Sequence, residues 1–347
     1  MVTSLGEDRL AELRSAKLRA LAPALGLELR VVTGYPNGAA GHDGSGRGAV
    51  LLDAAGPRSL GPAVMWAVKA GVTELVVVAG TVAAPSATNV GWELDEVAGR
   101  LARQAGWHRT PSVSVVTLAE RTPQPVEAAP VPDPTKPPSA DAWDRATVLG
   151  DAGLDVLVEH GVIWGEVLGL GLACVATGPD GAARLELGVG RFDREIGLML
   201  HGDRPDVAAI ATAAELVRRH RRPGAPVHPI RDLVPERWVR HTLLAQPGLV
   251  GAVELRPVDS TLRPQSMRER QPVAAFGHDE SGHPMLVVAS AGVDLDLVPH
   301  AADTCSAWHP EARLVLVVPA ALPAAALAVA ATLTCAAEVV VVAPPWN

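Results

Sequence analysis

Two stretches of the sequence that lie 236 positions apart are almost the same. GHDGSGRG occupies residues 41–48, and GHDESGHP occupies residues 277–284. The alignment extends without a gap over residues 41–56 and 277–292, where seven of the sixteen positions are identical. Chance similarity in a chain rich in Ala, Gly and Val is the alternative explanation. An internal duplication constrains the fold more strongly than chance similarity does, because one structural unit must then be able to form twice.

The predicted helices and strands repeat in the same order. Up to about residue 120, helical spacing of apolar residues, β-branched runs and glycine-rich turns predict the order α, β, β, β, α, β, α, β. After about residue 232 this order returns, beginning with the helical pattern PERWVRHTLLA. We therefore expect an α/β protein with two related αβββαβαβ repeats, at residues 1–120 and 232–347, in which helices flank mixed sheets.

The segment between the two repeats has two parts of different character. Residues 121–141 contain seven prolines and almost no large apolar side chain, which is typical of an extended, semi-rigid linker. Residues 142–231 combine strand patterns such as ARLELGVG with two helical patterns near residues 193–200 and 206–222. We expect this second part to be a smaller β-hairpin and helix segment that joins the copies.

Composition excludes several classes of protein. A net charge of −8 weighs against nonspecific binding of nucleic acid, which depends on neutralising phosphates. The three cysteines are far apart and have no CxxC spacing, so neither a disulfide framework nor a zinc site is indicated. Apolar runs are too short for a membrane span, and the first residues lack a signal-peptide pattern, so we expect a cytoplasmic protein.

The repeated stretch itself has a structural interpretation. Asp43 and Asp279 can accept hydrogen bonds from backbone N–H groups a few residues further on. Gly46 and Gly282 supply the positive φ that a short hairpin loop needs. The pattern therefore predicts two hairpin turns with the same chemistry, one in each repeat.

The order α, β, β, β, α, β, with Asp43 where the second strand ends and Asp53 on the third, resembles the restriction-endonuclease-like superfamily, the PD-(D/E)xK nucleases. The resemblance implies a metal-binding Asp at the end of the second strand and an acidic residue with a Lys two positions later on the third. Asp43 and Asp53 would then hold Mg²⁺. Ala55 stands where the lysine belongs, so Lys69 on the following helix would have to replace it.

The second repeat departs further from this family. Asp279 is present, but Ala289, Ser290 and Ala291 occupy the position of the second motif. The resemblance thus implies a degenerate duplication, in which a nuclease-like scaffold binds without cutting. A Mg²⁺-dependent nuclease that acts through Asp43, Asp53 and Lys69 of the first repeat is the alternative. Under the first interpretation we expect no cofactor.

Three further clusters carry chemistry-bearing side chains. The first is a metal-like trio that a helix N-terminus explains more simply. The second could supply a general acid and base on the central hairpin. The third is a basic run at a helix C-terminus, which is the best candidate for phosphate contacts. These clusters are Asp294, Asp296 and His300; Glu159, His160 and Glu166; and Arg218, Arg219, Arg221 and Arg222.

Motifs of the common nucleotide and hydrolase sites do not occur in the sequence. There is no GxGxxG after the first strand, no GxxxxGK(S/T), no GxSxG and no HExxH. The sequence therefore favours a noncatalytic scaffold or binding protein that belongs to a larger assembly. We expect a protein partner or self-association, and we expect the two repeats to pack as a pseudo-twofold pair.

Overall fold

The computed structural model describes residues 2–82, 91–177, 181–201, 205–226, 228–264, 269–321 and 324–346. None of the helices in these ranges combines the length and the apolar character that crossing a bilayer requires.

The protein has an α/β fold, as predicted, with three sheets and flanking helices. The helices are α1 (Val2–Leu21), α2 (Leu60–Ala70), α3 (Leu94–Ala105), α4 (Ala140–Asp151), α5 (Gly190–His201), α6 (Val207–His220), α7 (Pro229–Asp232), α8 (Pro235–Ala245), α9 (Leu297–Trp308) and α10 (Ala324–Ala330). The strands are β1 (Val31–Tyr35), β2 (Gly38–His42), β3 (Arg47–Leu52), β4 (Glu74–Ala79), β5 (Ser112–Ala119), β6 (Thr122–Pro125), β7 (Asp155–Glu159), β8 (Val162–Val167), β9 (Leu170–Thr177), β10 (Ala183–Leu187), β11 (Ala252–Val258), β12 (Val273–Asp279), β13 (Pro284–Ala289), β14 (Arg313–Val318) and β15 (Ala337–Val341).

The first sheet has six strands in the order β1-β2-β3-β4-β5-β6. Strands β1, β2 and β3 are antiparallel neighbours, whereas β3, β4 and β5 run parallel and β6 returns antiparallel along β5. Helix α1 covers one face, where Leu18 and Leu21 pack with Leu51 and Val78. Gly38 permits the close β2–β3 approach, because a Cβ there would lie 1.8 Å from the carbonyl oxygen of Leu51.

The central sheet is antiparallel throughout, with the order β10-β9-β8-β7. Its core contains Leu149 from α4 and Ile210 from α6. Both helices begin at a side-chain cap. Ser139 accepts a hydrogen bond from the backbone N–H of Ala142, and Asp206 accepts one from the N–H of Ala209.

The third sheet has the order β11-β12-β13-β14-β15. Strands β11, β12 and β13 are antiparallel neighbours, and β14 runs parallel to β13. Val239 and Leu243 of α8 pack with Met285 and Val287 of β13. The order α8, β11, β12, β13, α9, β14, α10, β15 thus matches the order α1, β1, β2, β3, α2, β4, α3, β5 in the first part of the chain. The duplication itself stays a prediction.

Contact density divides the chain into two compact units. One contains Met1–Val131, Val293–Pro310 and Ala321–Glu338, and the other contains Pro132–Gly292, Glu311–Ala320 and Val339–Asn347. This division groups helices by what they pack against and not by sequence similarity. The predicted domain boundaries at 1–120, 121–141, 142–231 and 232–347 therefore stay a prediction. Within the expected linker, Thr122–Pro125 forms β6.

In the first unit, helices from the two ends of the chain lie side by side. Helix α2 packs against α9 and α10, and α3 packs against α9. The segments before β5 and β15 also form an antiparallel bridge centred on His108 and Leu333. The N–H of Arg109 donates to the carbonyl of Thr332 at 2.7 Å, and the N–H of Thr334 donates to that of Trp107 at 2.8 Å.

Candidate functional site

The repeated aspartates organise their turns, as predicted. Asp43 lies between β2 and β3, and its Oδ1 accepts hydrogen bonds from the N–H groups of Ser45 at 2.7 Å and Arg47 at 3.1 Å. Asp279 accepts from Ser281 and His283, both at 2.9 Å. The hydroxyl and N–H of Ser45 hold the pKa of Asp43 at about 2. The N–H groups bonded to Asp279 likewise lower its pKa.

The glycines of the same two turns also match the prediction. Gly46 has φ 104° and Gly282 has φ 78°, a left-handed conformation that glycine adopts without steric cost. The repeated eight letters therefore encode the same hydrogen-bonded corner at two places in the chain.

Asp53 follows β3 and has basic partners on α1. Its Oδ1 accepts a hydrogen bond from the Nζ of Lys17 at 2.7 Å, and its Oδ2 lies 3.4 Å from the Nε of Arg14. The Lys17 hydrogen bond is the largest cause that lowers the pKa of Asp53, and burial opposes it. The carboxylate is thus ionised and neutralised by two cations of its own unit.

Asp43 and Asp53 do not form the predicted metal pair. They lie at opposite ends of β3, whose six residues separate them by about 20 Å at roughly 3.3 Å per residue. In a hairpin, the start of one strand lies beside the end of its partner, so the neighbour of Asp53 is Asn37. The N–H of Asp53 donates to the carbonyl of Asn37 at 2.8 Å. No group of three His, Cys, Asp or Glu side chains in the described ranges is arranged to hold a metal ion.

Lys69 does not meet Asp53 either. It is exposed in the last turn of α2, a helix that starts near the carboxyl end of β3 and finishes before β4 begins. Because β3 and β4 are parallel, Lys69 lies towards the opposite end of the sheet from Asp53. The lysine beside Asp53 is Lys17. The sequence did not indicate it, because it lies on helix α1, before the strands that carry the motif.

The predicted acid and base of the central hairpin are buried ion pairs. Glu159 accepts a hydrogen bond from Arg240 at 2.6 Å and one from Arg237, which also binds Glu166 at 3.0 Å. Burial of Glu159 favours its neutral form, but the two arginines outweigh this and lower its pKa to about 2. A permanently ionised, enclosed carboxylate is a poor general acid.

His160 is also held by a structural contact. Its φ is 50°, and its backbone N–H donates to the Oδ1 of Asp259 at 2.7 Å. Burial lowers the pKa of its imidazole, and the carboxylates of Asp259 and Glu159 oppose that effect. The trio therefore joins β7 and β8 to α8 and the segment after β11.

The basic run does not form one phosphate-binding surface. Arg221 is 0% exposed. Its guanidinium donates to the carbonyls of Leu168 at 3.0 Å and Leu233 at 2.6 Å, and it lies 4.6 Å from the ring centroid of Trp238. The expectation of phosphate contacts is therefore corrected for Arg221, which binds backbone carbonyls inside its unit.

The other arginines of the run differ from one another. Arg218 is half-buried and donates to the carbonyl of Gly153 at 2.5 Å. Arg219 and Arg222 are exposed. Only these two positions present side chains to solvent as expected.

A buried polar cluster surrounds the N-termini of α2 and α9. Asp296 precedes α9, but its Oδ1 accepts a hydrogen bond from the N–H of Gly61, in the first turn of α2, at 2.9 Å. The predicted N-cap therefore acts on the neighbouring helix. Asp294 pairs with Arg58, and among the described residues this trio with His300 does not form a metal-holding arrangement but lies in the packing between the helices.

Burial controls the protonation of this cluster. It raises the pKa of Asp296 to about 7, although the N–H of Gly61 opposes the shift. It lowers the pKa of His300 to about 3, so the imidazole is neutral. Neither ring nitrogen of His300 has a hydrogen-bond partner among the described residues. The sequence alone does not predict that Asp296 and His300 are buried away from water.

Comparisons with known proteins add no relative. No protein-family model, no curated protein and no solved structure matches the chain.

Proposed function

We propose that the chain is a noncatalytic scaffold or binding protein, built from two degenerate nuclease-like repeats, that works within a larger assembly. The observation that carries the proposal is the position of Asp53. It is neutralised by Lys17 and Arg14 and stands a full strand away from Asp43, so the two acids cannot share a metal ion.

The other candidate side chains support the same function. Glu159 and Glu166 are neutralised by arginines inside their unit, and Arg221 binds backbone carbonyls. Such contacts occupy these charged groups inside their unit and leave no free acid, base or cation at these positions. These chemistry-bearing residues therefore serve the structure, and binding would use the surface.

The hydrogen bonds between the segments before β5 and β15 support the duplication. The Arg109-to-Thr332 and Thr334-to-Trp107 hydrogen bonds form a reciprocal pair, and the two segments lie directly before β5 and directly before β15. Reciprocal contacts between equivalent segments are what a pseudo-twofold pairing produces.

A Mg²⁺-dependent nuclease is the second candidate. The observation that favours it is the pairing of Asp53 with Lys17 at the carboxyl end of β3, since ligand sites of α/β sheets lie at this end of the strands. In this version Lys17 replaces Lys69, and Asp53 has Asn37 beside it instead of a second acid.

A nuclease assay distinguishes the two candidates. The wild-type chain and the variants Asp53→Asn and Asp43→Asn are incubated with single- and double-stranded DNA and with RNA, with Mg²⁺, Mn²⁺ or EDTA. We expect no metal-dependent cleavage by any of them. Cleavage by the wild type that Asp53→Asn abolishes and Asp43→Asn retains would contradict the scaffold function and establish the nuclease.

A further inference from the structure

We propose that the outward face of α6 is the surface on which two copies of this chain pair, with the two α6 helices antiparallel. The inference rests on the proposed binding function and names a second copy of the chain as the partner.

The outward face of α6 offers apolar surface to solvent. Ile210, Ala214 and Val217 form the buried stripe that packs into the core of the central sheet. On the opposite side, Leu216 is 49% exposed. A concavity of about 760 Å³ lies along this side and is lined largely by apolar groups, including Leu187. A single exposed leucine is common on protein surfaces, but Leu216 continues into the apolar lining of this concavity, and contiguous apolar surface marks sites of protein contact.

The shape of the face matches itself in an antiparallel arrangement. Ala208 and Thr212 are exposed one turn apart, and Leu216 follows after the next turn. If two copies pair about an axis through Thr212, Leu216 of each copy lies over Ala208 of the other. Small residues at the crossing point allow helices to approach to about 8 Å, so the large side chain fills the space beside the small one.

The charges along α6 select the same arrangement. Asp206 lies at the N-terminus and the exposed Arg219 lies in the last turn, whereas Arg218 is half-buried and bonded to the carbonyl of Gly153. Antiparallel pairing brings the Asp206 end of one copy near the Arg219 guanidinium of the other, and the helix dipoles then oppose each other favourably. A parallel pair would place like charges together.

The size of the surface sets the strength of the pairing. Helix α6 has 14 residues and is therefore about 21 Å long, at roughly 1.5 Å per residue. Stable complexes bury about 800 Å² on each partner, which one helix face does not reach. We therefore expect a concentration-dependent dimer, present at high protein concentration and dissociated at low concentration.

Disulfide trapping tests the axis directly. Thr212→Cys is made in a Cys335→Ala background, because Cys335 is the partly exposed cysteine whereas Cys174 and Cys305 are buried. We expect mild oxidation to give a disulfide-linked dimer, since residues on a twofold axis meet their own copies. The matched control is Leu249→Cys, at a position that is 43% exposed. No more dimer from Thr212→Cys than from the control would overturn the inference.

Analytical ultracentrifugation over a concentration series tests the contact without cross-linking. We expect Leu216→Glu to weaken dimerisation by about tenfold or more, as roughly 1.4 kcal/mol is sufficient for this. Leu249→Glu should leave dimerisation unchanged. A monomeric wild type, or a dimer that Leu216→Glu does not weaken, would contradict the pairing even if no nuclease activity is found. Nuclease activity in a dimeric protein would instead contradict the scaffold function and leave the pairing intact.

Discussion

Replacing Asp296 with Asn tests whether the buried polar cluster holds a protonated carboxyl. Asp296 is 3% exposed, and its Oδ1 accepts the Gly61 N–H. Burial raises its pKa from 3.8 to about 7. A raised pKa means that the folded state keeps a proton that the unfolded chain has lost. The stability contributed by this group is therefore present below about pH 4 and is lost as pH rises to about 7.

The magnitude follows from the same values. Each pKa unit corresponds to about 1.4 kcal/mol, so the loss between pH 4 and 7 is at most about 4 kcal/mol. Asn is neutral at every pH and retains an oxygen that can accept the Gly61 N–H. We expect Asp296→Asn to change stability little at pH 4 and to increase the free energy of unfolding by up to about 4 kcal/mol at pH 8.

Urea unfolding followed by tryptophan fluorescence between pH 4 and 8 measures this difference. The groups that face Asp296 include Arg58, Arg100 and Tyr35, and they are the same in both proteins, so the difference isolates position 296. Asp294→Asn serves as the control for losing a neighbouring charge. If Asp296→Asn is destabilising at pH 8, the helix N-termini hold an ionised carboxylate, and the burial argument is refuted.

Two substitutions test the packing of each unit. Gly61→Ala would place a Cβ 1.9 Å from the carbonyl oxygen of Leu295. We therefore expect the backbone to shift and the free energy of unfolding to fall by at least about 2 kcal/mol. The control Gly150→Ala, which has open space around its Cβ, should be neutral or stabilising. Arg221→Lys keeps the charge but loses the planar guanidinium that donates to several carbonyls. We therefore expect the free energy of unfolding, measured with urea, to fall by about 2 kcal/mol. An unchanged unfolding midpoint would contradict the structural role of Arg221.

Regular structure was predictable where local chemistry determines it. Helix α2 (Leu60–Ala70) and strand β4 (Glu74–Ala79) supply the second helix and the fourth strand of the predicted order, because uninterrupted apolar patterns specify both. The two hairpin turns were predictable as well, since Asp43 and Asp279 act on N–H groups within their own loops. In these cases all interacting atoms are close in sequence.

The candidate site was not predictable, because it depends on contacts between distant segments. Nothing in the sequence of residues 218–222 distinguishes Arg221 from Arg222, and contacts with distant segments at Leu168, Leu233 and Trp238 enclose the former. The distance between Asp43 and Asp53 was predictable from hairpin geometry, because the two acids lie at opposite ends of one strand. The resemblance to a nuclease motif nevertheless paired them. The basic partners of Asp53 come from α1, which the motif does not include.

The ion pair between Arg58 and Asp294 bears on the predicted duplication. These residues are 236 positions apart, the same offset that aligns GHDGSGRG with GHDESGHP. In the predicted duplication, two equivalent positions that contact each other would lie at the axis that relates the copies. In a symmetric pair of identical chains, such a position would face itself, and a charged residue there would meet its own charge. Within one chain the two positions can differ, and opposite charges at them turn a repulsive contact into an attractive one. At the same offset Asp296 aligns with Leu60, so the predicted duplication would have placed a carboxyl at one of these two positions and an apolar side chain at the other.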